Sequence, residues 1–339
     1  MKILINERYR LDYKIGQGGF GSVYSGTDLQ SGDEVAIKLR DPRITPYDVE
    51  DEALAYGALS RGVGIPRLRW SGRETSGDCY ALVQDVLGPS LEDLFKYCGG
   101  RFSLKTVLLI ADQALSRLQY IQSNGIVHRD IKPDNLLMGV GKQGNLLYII
   151  DFGLAELYEE FQGLEDREGL PFLGTDRYAS LNSHNGRQQS WRDDLESLGY
   201  SLVYFARGSL PWQGLNGAAG DERHQLIKEK KMSTSVEELC EGLPNEFATY
   251  INYVRSLGFD EKPDYVYLRR LFRRLFRSKG FKYDNVFDWT EKRFKEVRGE
   301  LDQPKSARRR RPTKAPRPNQ GVRHSSRLLD IAKRRRRPQ

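Results

Sequence analysis

The order His128-Arg129-Asp130, with Asn135 five residues beyond the aspartate, constrains this chain more than any other stretch. Asp130 and Asn135 place a carboxylate and an amide at the spacing needed to take a proton from a hydroxyl and to hold a hard metal ion through oxygen. Lys132 lies between them, where an ammonium can neutralise charge on a transferring phosphoryl group. Asp151-Phe152-Gly153 follows and offers a second metal-binding carboxylate. A buried strand over 146–150, Leu-Leu-Tyr-Ile-Ile, delivers that aspartate.

The chain upstream supplies what those two stretches require. Tyr9 to Ile15 alternates like a half-buried strand, and Gly16-Gln17-Gly18-Gly19-Phe20-Gly21 follows. Alone, G-x-G-x-x-G fits a dinucleotide-binding turn equally well, but that turn opens a helix. Here the β-formers Ser22-Val23-Tyr24 follow, so the setting is a hairpin and the glycines read as a flap over nucleotide phosphates. Without Cβ atoms the backbone of Gly16, Gly18 and Gly21 can approach phosphate oxygens closely. Val35-Ala36-Ile37-Lys38 is the next strand, ending in a lysine suited to the α- and β-phosphates. A helix is expected from Asp48 to Leu59, with acidic residues near its start. One of them should pair with Lys38, and spacing alone does not choose among Glu50, Asp51 and Glu52.

Strands are expected over 67–70 and 80–83, then a hinge at Gln84 to Pro89, then a helix from Leu91 capped by Ser90. Asp93, one turn in, suits either a ribose hydroxyl or the helix dipole. Leu104, Leu108, Ala111, Leu115 and Leu118 share one face of a helix that Ser103 can cap. Strands followed by helices define an α+β protein with a sheet lobe and a helix lobe.

Charge is distributed unevenly. The whole chain carries +8, but residues 301–339 hold 14 Lys or Arg against 2 acidic residues, leaving 40 basic and 44 acidic residues before them. The expected domains are a catalytic unit over 1–296 and a basic tail over 297–339, the latter too poor in apolar residues to order itself. Its clusters, Lys305 to Arg311 and Lys333 to Arg337, read as nuclear-import signals or weak nucleic-acid patches. A nuclear import receptor is thus a candidate partner, and nucleus and cytoplasm are the expected locations. No apolar run reaches the roughly 18 residues of a membrane span, so no stable membrane association is expected. Three scattered cysteines give neither a disulfide framework nor a zinc motif. A monomer is expected. The rival reading is a catalytically idle scaffold, or a nucleic-acid binder acting through its tail. The complete set of catalytic elements argues against it.

These elements together resemble the eukaryotic protein kinases, and within them the casein kinase I family. The closer likeness rests on Leu87-Gly88-Pro89-Ser90-Leu91-Glu92-Asp93-Leu94-Phe95, on Gly174-Thr175-Asp176-Arg177-Tyr178-Ala179-Ser180-Leu181-Asn182, on Arg192-Asp193-Asp194-Leu195-Glu196-Ser197-Leu198-Gly199-Tyr200, and on Lys230-Lys231-Met232-Ser233-Thr234. The resemblance implies a bilobal kinase fold, ATP and Mg²⁺ as cofactors, and protein substrates phosphorylated on Ser or Thr. It implies Glu52 as the partner of Lys38, and Asp130 and Lys132 as catalytic residues with Asn135 and Asp151 as metal ligands. Ile15, Val23, Ala36, Asp85 and Leu87 would line the nucleotide pocket, with Asp93 at the ribose and Gln84 at its back. His128, Arg129 and Asp194 would brace the catalytic loop. Arg177, Gly214 and Arg223 would form a pocket for a substrate phosphate or other anion. This chain departs from that pattern in its acidic segment from Glu156 to Leu173, which by Coulomb repulsion is expected to weaken preference for acidic or primed sites.

Overall fold

A computed structural model describes residues 3–18, 21–41, 49–74, 79–157, 166–215 and 220–302. The N-terminal lobe is one antiparallel sheet: β1 (Leu4–Ile5), β2 (Tyr9–Gly18), β3 (Gly21–Asp28), β4 (Glu34–Arg40), β5 (Leu68–Glu74) and β6 (Cys79–Asp85), in the order β1-β2-β3-β4-β6-β5. Helix α1 (Val49–Ala58) is inserted between β4 and β5. It ends one residue before the expected Leu59, and Asp48 lies outside the described residues.

Alternation divides this sheet between two cores. Val35 and Ile37 of β4 join Ala81 and Val83 of β6, with Ile5 and Tyr9, in a small cluster of their own. The intervening residues point the other way, because successive side chains of a strand face opposite sides. Leu82 therefore belongs to the large core of the C-terminal lobe, together with Ala55, Tyr56 and Leu59. Register extends the argument. Lys38 lies opposite both Val23 and Leu82, and Ala36 lies opposite Gln84. Paired residues in an antiparallel ladder share a face, so Val23, Ala36, Lys38, Leu82 and Gln84 all front the cleft between the lobes.

The C-terminal lobe is helical. Its helices are α2 (Leu91–Tyr97), α3 (Leu104–Ser123), α4 (Leu181–His184), α5 (Trp191–Arg207), α6 (Asp221–Ser233), α7 (Val236–Leu239), α8 (Asn245–Ser256), α9 (Tyr265–Ser278) and α10 (Asp288–Asp302). Ser90 and Ser103 cap α2 and α3 by accepting from Asp93 N and Thr106 N, as their sequences suggest. Four short strands hold the loops at the cleft: β7 (Ile126–Val127) pairs with β10 (Glu156–Leu157), and β8 (Leu136–Met138) with β9 (Leu147–Ile149). The strand expected over 146–150 is thus three residues long, and Ile150 N continues to Asn135 O at 3.0 Å.

The architecture is the bilobal α+β arrangement expected from the sequence. Regular structure, however, runs past the expected boundary at 297. Helix α10 continues to Asp302 because its start is tied to α3, where Asp288 accepts from Ser103 N at 2.5 Å and from Ser103 Oγ at 2.6 Å. Farther along, Tyr97 Oη donates to Glu296 at 2.7 Å and Lys292 Nζ to Tyr97 O at 2.5 Å. The basic clusters of the tail lie outside the described residues. No described helix is long and apolar enough to cross a membrane.

Candidate active site

The nucleotide side of the cleft begins with the β2–β3 hairpin. Gly18 pairs with Gly21, and Gly16 lies opposite Val23. The tip, residues 19–20, lies outside the described residues. Gly21 has φ 141°, and a Cβ there would lie 2.2 Å from Leu39 O, so only glycine lets β3 run this close to β4. Ile15 stands half-buried at the end of a register shift beside this hairpin.

Lys38 sits at the centre of a buried charge cluster. Its Nζ donates to Glu52 Oε1 at 2.8 Å and Oε2 at 2.9 Å, and to Asp151 Oδ1 at 2.5 Å. The choice left open by spacing falls on Glu52, which is 1% exposed, while Glu50 and Asp51 face solvent. The helical period explains this: Glu52, Ala55, Tyr56 and Leu59 lie at +3, +4 and +7 on one stripe facing the core. Burial lowers the Lys38 pKa, but Asp151 and Glu52 outweigh it and the net direction is up. Burial likewise raises Asp151, and Lys38 outweighs it, bringing the carboxyl down to about 2. Both directions agree on an ionised pair.

Sequence reasoning missed Arg40. Its guanidinium is buried and donates to Glu52 Oε2 at 3.0 Å. The available signal was position, since Arg40 is two residues beyond Lys38 on the same strand and so shares its face. Gly153 packs against this cluster: a Cβ would lie 3.3 Å from Asp151 Oδ1 and 3.4 Å from both Arg40 and Glu52.

The catalytic loop is held from below. Asp194, at the start of α5, accepts from His128 N and Arg129 N, each at 2.8 Å. Its own pKa is raised by burial, with these two N–H groups and His128 opposing the shift. The His128 ring bridges onward, with Nε2 3.0 Å from Ile150 O and Nδ1 accepting from Asp130 N at 3.2 Å. Arg129 and Asp151 adopt left-handed φ values of 64° and 69°, which non-glycine residues rarely hold without support. Phe152 supplies some of that support, packed edge-on against Tyr56 and against the His128 ring, both at 4.9 Å.

Asp130 is 5% exposed and fully engaged. Lys132 Nζ donates to Oδ2 at 2.5 Å and Thr175 Oγ1 to Oδ1 at 2.7 Å; Lys132 also reaches Thr175 at 3.0 Å. Asn135 Nδ2 donates to Asp130 O at 2.9 Å and lies 3.3 Å from Oδ2. With its amide nitrogen turned toward Asp130, Asn135 presents its oxygen as the ligating atom. That oxygen and the second oxygen of Asp151 would supply oxygen donors only, the kind that Mg²⁺ takes. Thr175 is a further functional residue that the sequence motifs do not mark: its contact with both Asp130 and Lys132 depends on how the 174–178 segment folds back.

The hinge is strapped to the lower lobe just after Leu87, by Gly88 N to Met138 O at 2.7 Å and Met138 N to Pro89 O at 3.0 Å. The Asp85 carboxylate is committed to Arg69 at 2.6 Å, so its main chain is what remains for a nucleotide. Asp93 lies in the first turn of α2 and accepts from Ser90 Oγ at 2.8 Å through one of its oxygens. Gln84 lies opposite Ala36 at the back of the cleft, where the Tyr56 hydroxyl accepts from Asp151 N at 3.0 Å.

The three expected anion-pocket residues lie on separate segments. Arg177 lies over the rings of Tyr178 and Tyr204, 5.7 and 5.8 Å from their centroids. Gly214 holds φ 74° in the loop after Trp212, and Arg223 is exposed on α6. The described carboxylates of the acidic segment find partners within the fold. Glu156 is bonded to Arg129 at 2.7 Å and to Gln188 at 2.8 Å. Glu168 pairs with Arg187 at 2.7 Å, and Asp166 lies 3.8 Å from Arg192. These three carboxylates are thus paired with arginines of the fold. Glu159, Glu160 and Glu165 lie outside the described residues.

A charge-bridged lysine under a glycine hairpin, facing a braced Asp130 and two oxygen ligands, equips the cleft for phosphoryl transfer from a nucleotide. The protein kinase domain family matches residues 9–251, and the chain belongs to that family. It is therefore a phosphotransferase of the protein kinase fold, and that family implies ATP and protein substrates. The match ends inside α8; α9 continues the lobe by clamping α3, with Arg269 and Arg273 on Asp112 at 3.1 and 2.8 Å.

Proposed function

We propose that the protein is an Mg²⁺- and ATP-dependent serine/threonine kinase of the casein kinase I type. The observation that carries this reading is the Asp130 carboxylate held between Lys132 and Thr175. When bound, the metal–nucleotide complex supplies the phosphoryl group and counter-charge to it. Asp130 orients a substrate hydroxyl and receives its proton, Lys132 offsets charge developing at the transferring group, and Lys38, fixed by Glu52, anchors the phosphates. The finer family assignment is supported by the quoted segments, which occupy the hinge and α2, the 174–182 loop and α5. Arg177, Gly214 and Arg223 remain the proposed anion-recognition residues. The basic tail is proposed to engage a nuclear import receptor.

The test is phosphoryl transfer from labelled ATP to casein and to Ser-, Thr- and Tyr-containing peptides. Asp130→Asn is expected to lower kcat by about 10²–10⁴ with the KM for ATP little changed. Label on Ser and Thr is expected, and label on Tyr alone would refute the specificity. Equal turnover by wild type and variant would refute the assignment of Asp130.

A further inference from the structure

A second group of ligating side chains lies outside the transfer site. Asp176, His184 and His224 each place one ligating atom within 4.8 Å of the other two. They come from separate segments: the loop before α4, the last residue of α4, and α6. His224 Nδ1 is 2.6 Å from Asp176 Oδ1. His184 is 4% exposed; its Nε2 lies 3.2 Å from Asp176 O, and its Nδ1 is buried with no hydrogen-bond partner among the described residues. Phe172 packs on both imidazoles, 4.9 Å from His184 and 4.4 Å from His224, and the two imidazoles are 4.9 Å apart.

From this juxtaposition we infer that Asp176, His184 and His224 form a binding site for a divalent transition ion of the Zn²⁺ class. Two imidazoles and one carboxylate are a donor set that Zn²⁺ takes with a fourth position open to water. Mg²⁺ and Ca²⁺ favour oxygen alone, so the site differs in kind from Asn135 and Asp151. A ring nitrogen donating to a main-chain carbonyl fixes the tautomer that leaves the other nitrogen free to ligate. His184 Nε2, beside Asp176 O, has that arrangement when it carries the ring proton. It also gives a partner to a buried ring nitrogen that has none among the described residues. Ligands around Zn²⁺ at about 2.0–2.2 Å stand about 3.4 Å apart, so small side-chain rotations complete the site.

Positive charge opposes the ion. Lys231 Nζ is 3.1 Å from His184 Nε2 while donating to Asp176 O and Ala179 O at 2.7 and 2.6 Å, and Lys228 adds to the field at His184. The carboxylate of Asp176 offsets part of this, and affinity is correspondingly modest. Bound metal would cross-link the 174–178 segment to α6, fixing the neighbours Arg177 and Arg223. The inference stands independently of the substrate assignment.

The experiment uses full-length protein stripped with chelator, without nucleotide or Mg²⁺. Zn²⁺ is titrated against a chromogenic chelator, and Co²⁺ by its visible absorption. Wild type is expected to bind one equivalent of each, with a rise in melting temperature. His224→Phe keeps the ring packing on Phe172, and Asp176→Asn keeps the side-chain shape; each is expected to weaken binding at least tenfold. Melting of the metal-free variants reports that they fold. Absence of stoichiometric binding by wild type, or unchanged affinity in either folded variant, overturns the site. Should one variant not fold, His224→Gln or Asp176→Ala carries the same comparison.

Discussion

Thr175 shows how much a single hydroxyl can organise. It donates to the Asp130 carboxylate and lies within reach of Lys132, linking the catalytic loop to the segment that follows the described part of the acidic stretch. Replacing it by Val removes one charge-assisted bond from a buried carboxylate, worth about 1.5–3 kcal/mol. Thr175→Val is expected to lower kcat by roughly tenfold or more, since 1.4 kcal/mol is a factor of ten. Thr175→Ser should restore most of the rate while leaving the KM for ATP unchanged. Steady-state kinetics on one peptide substrate decides it. Arg40 makes the complementary point. Its partner Glu52 already serves Lys38, so the glutamate is held by two cations rather than one.

Among the elements, the Tyr9–Asp28 end of the β2–β3 ladder is pinned by charge. Asp28, at the end of β3, is fully buried as a side chain and accepts from Arg8 at 2.8 and 2.6 Å. Hydrogen bonding from Arg8 holds its carboxyl well below the usual carboxylate range, against burial, which acts in the opposite direction. A depressed folded-state pKa contributes stability that is present above the ordinary carboxylate pKa of about 3.9 and fades as pH falls below it. Asp28→Asn is therefore expected to melt below wild type at pH 7, with the gap between the two curves narrowing steadily as pH falls below about 3.9. Parallel curves across that range would count against the pairing. On the lower lobe, Glu156 plays a similar anchoring part for Arg129, whose left-handed backbone needs a fixed side chain.

For the whole molecule, the question is where the folded unit ends. The bonds from Asp288, Lys292 and Glu296 make α10 part of the C-terminal lobe, and Trp289 stacks on Phe287 at 4.5 Å. Truncation after residue 286 is expected to cost about 2 kcal/mol or more, a fall of about 4–8 °C in Tm. Truncation after Asp302 is expected to leave Tm and kinase activity unchanged and to abolish nuclear accumulation. Calorimetry and localisation of tagged full-length and truncated chains test both. Persistence of the short form in nuclei would reject the import role of the tail.

Legible in the sequence alone were the lobes, the order of the catalytic elements and the candidates Lys38, Asp130, Asn135 and Asp151. Such features depend on local spacing: strand alternation, helical period, caps, and motifs whose members lie within one loop. The choice of Glu52 required the phase of α1 against the core, which the resemblance supplied and the packing then displayed. Arg40, Thr175, the paired carboxylates of the acidic segment and the Asp176–His184–His224 group needed the tertiary structure. Their partners are far apart in sequence, and no local period records which distant charge will be brought within bonding distance. The catalytic loop was legible because its chemistry is contiguous; its surroundings were decided by how remote segments pack around it.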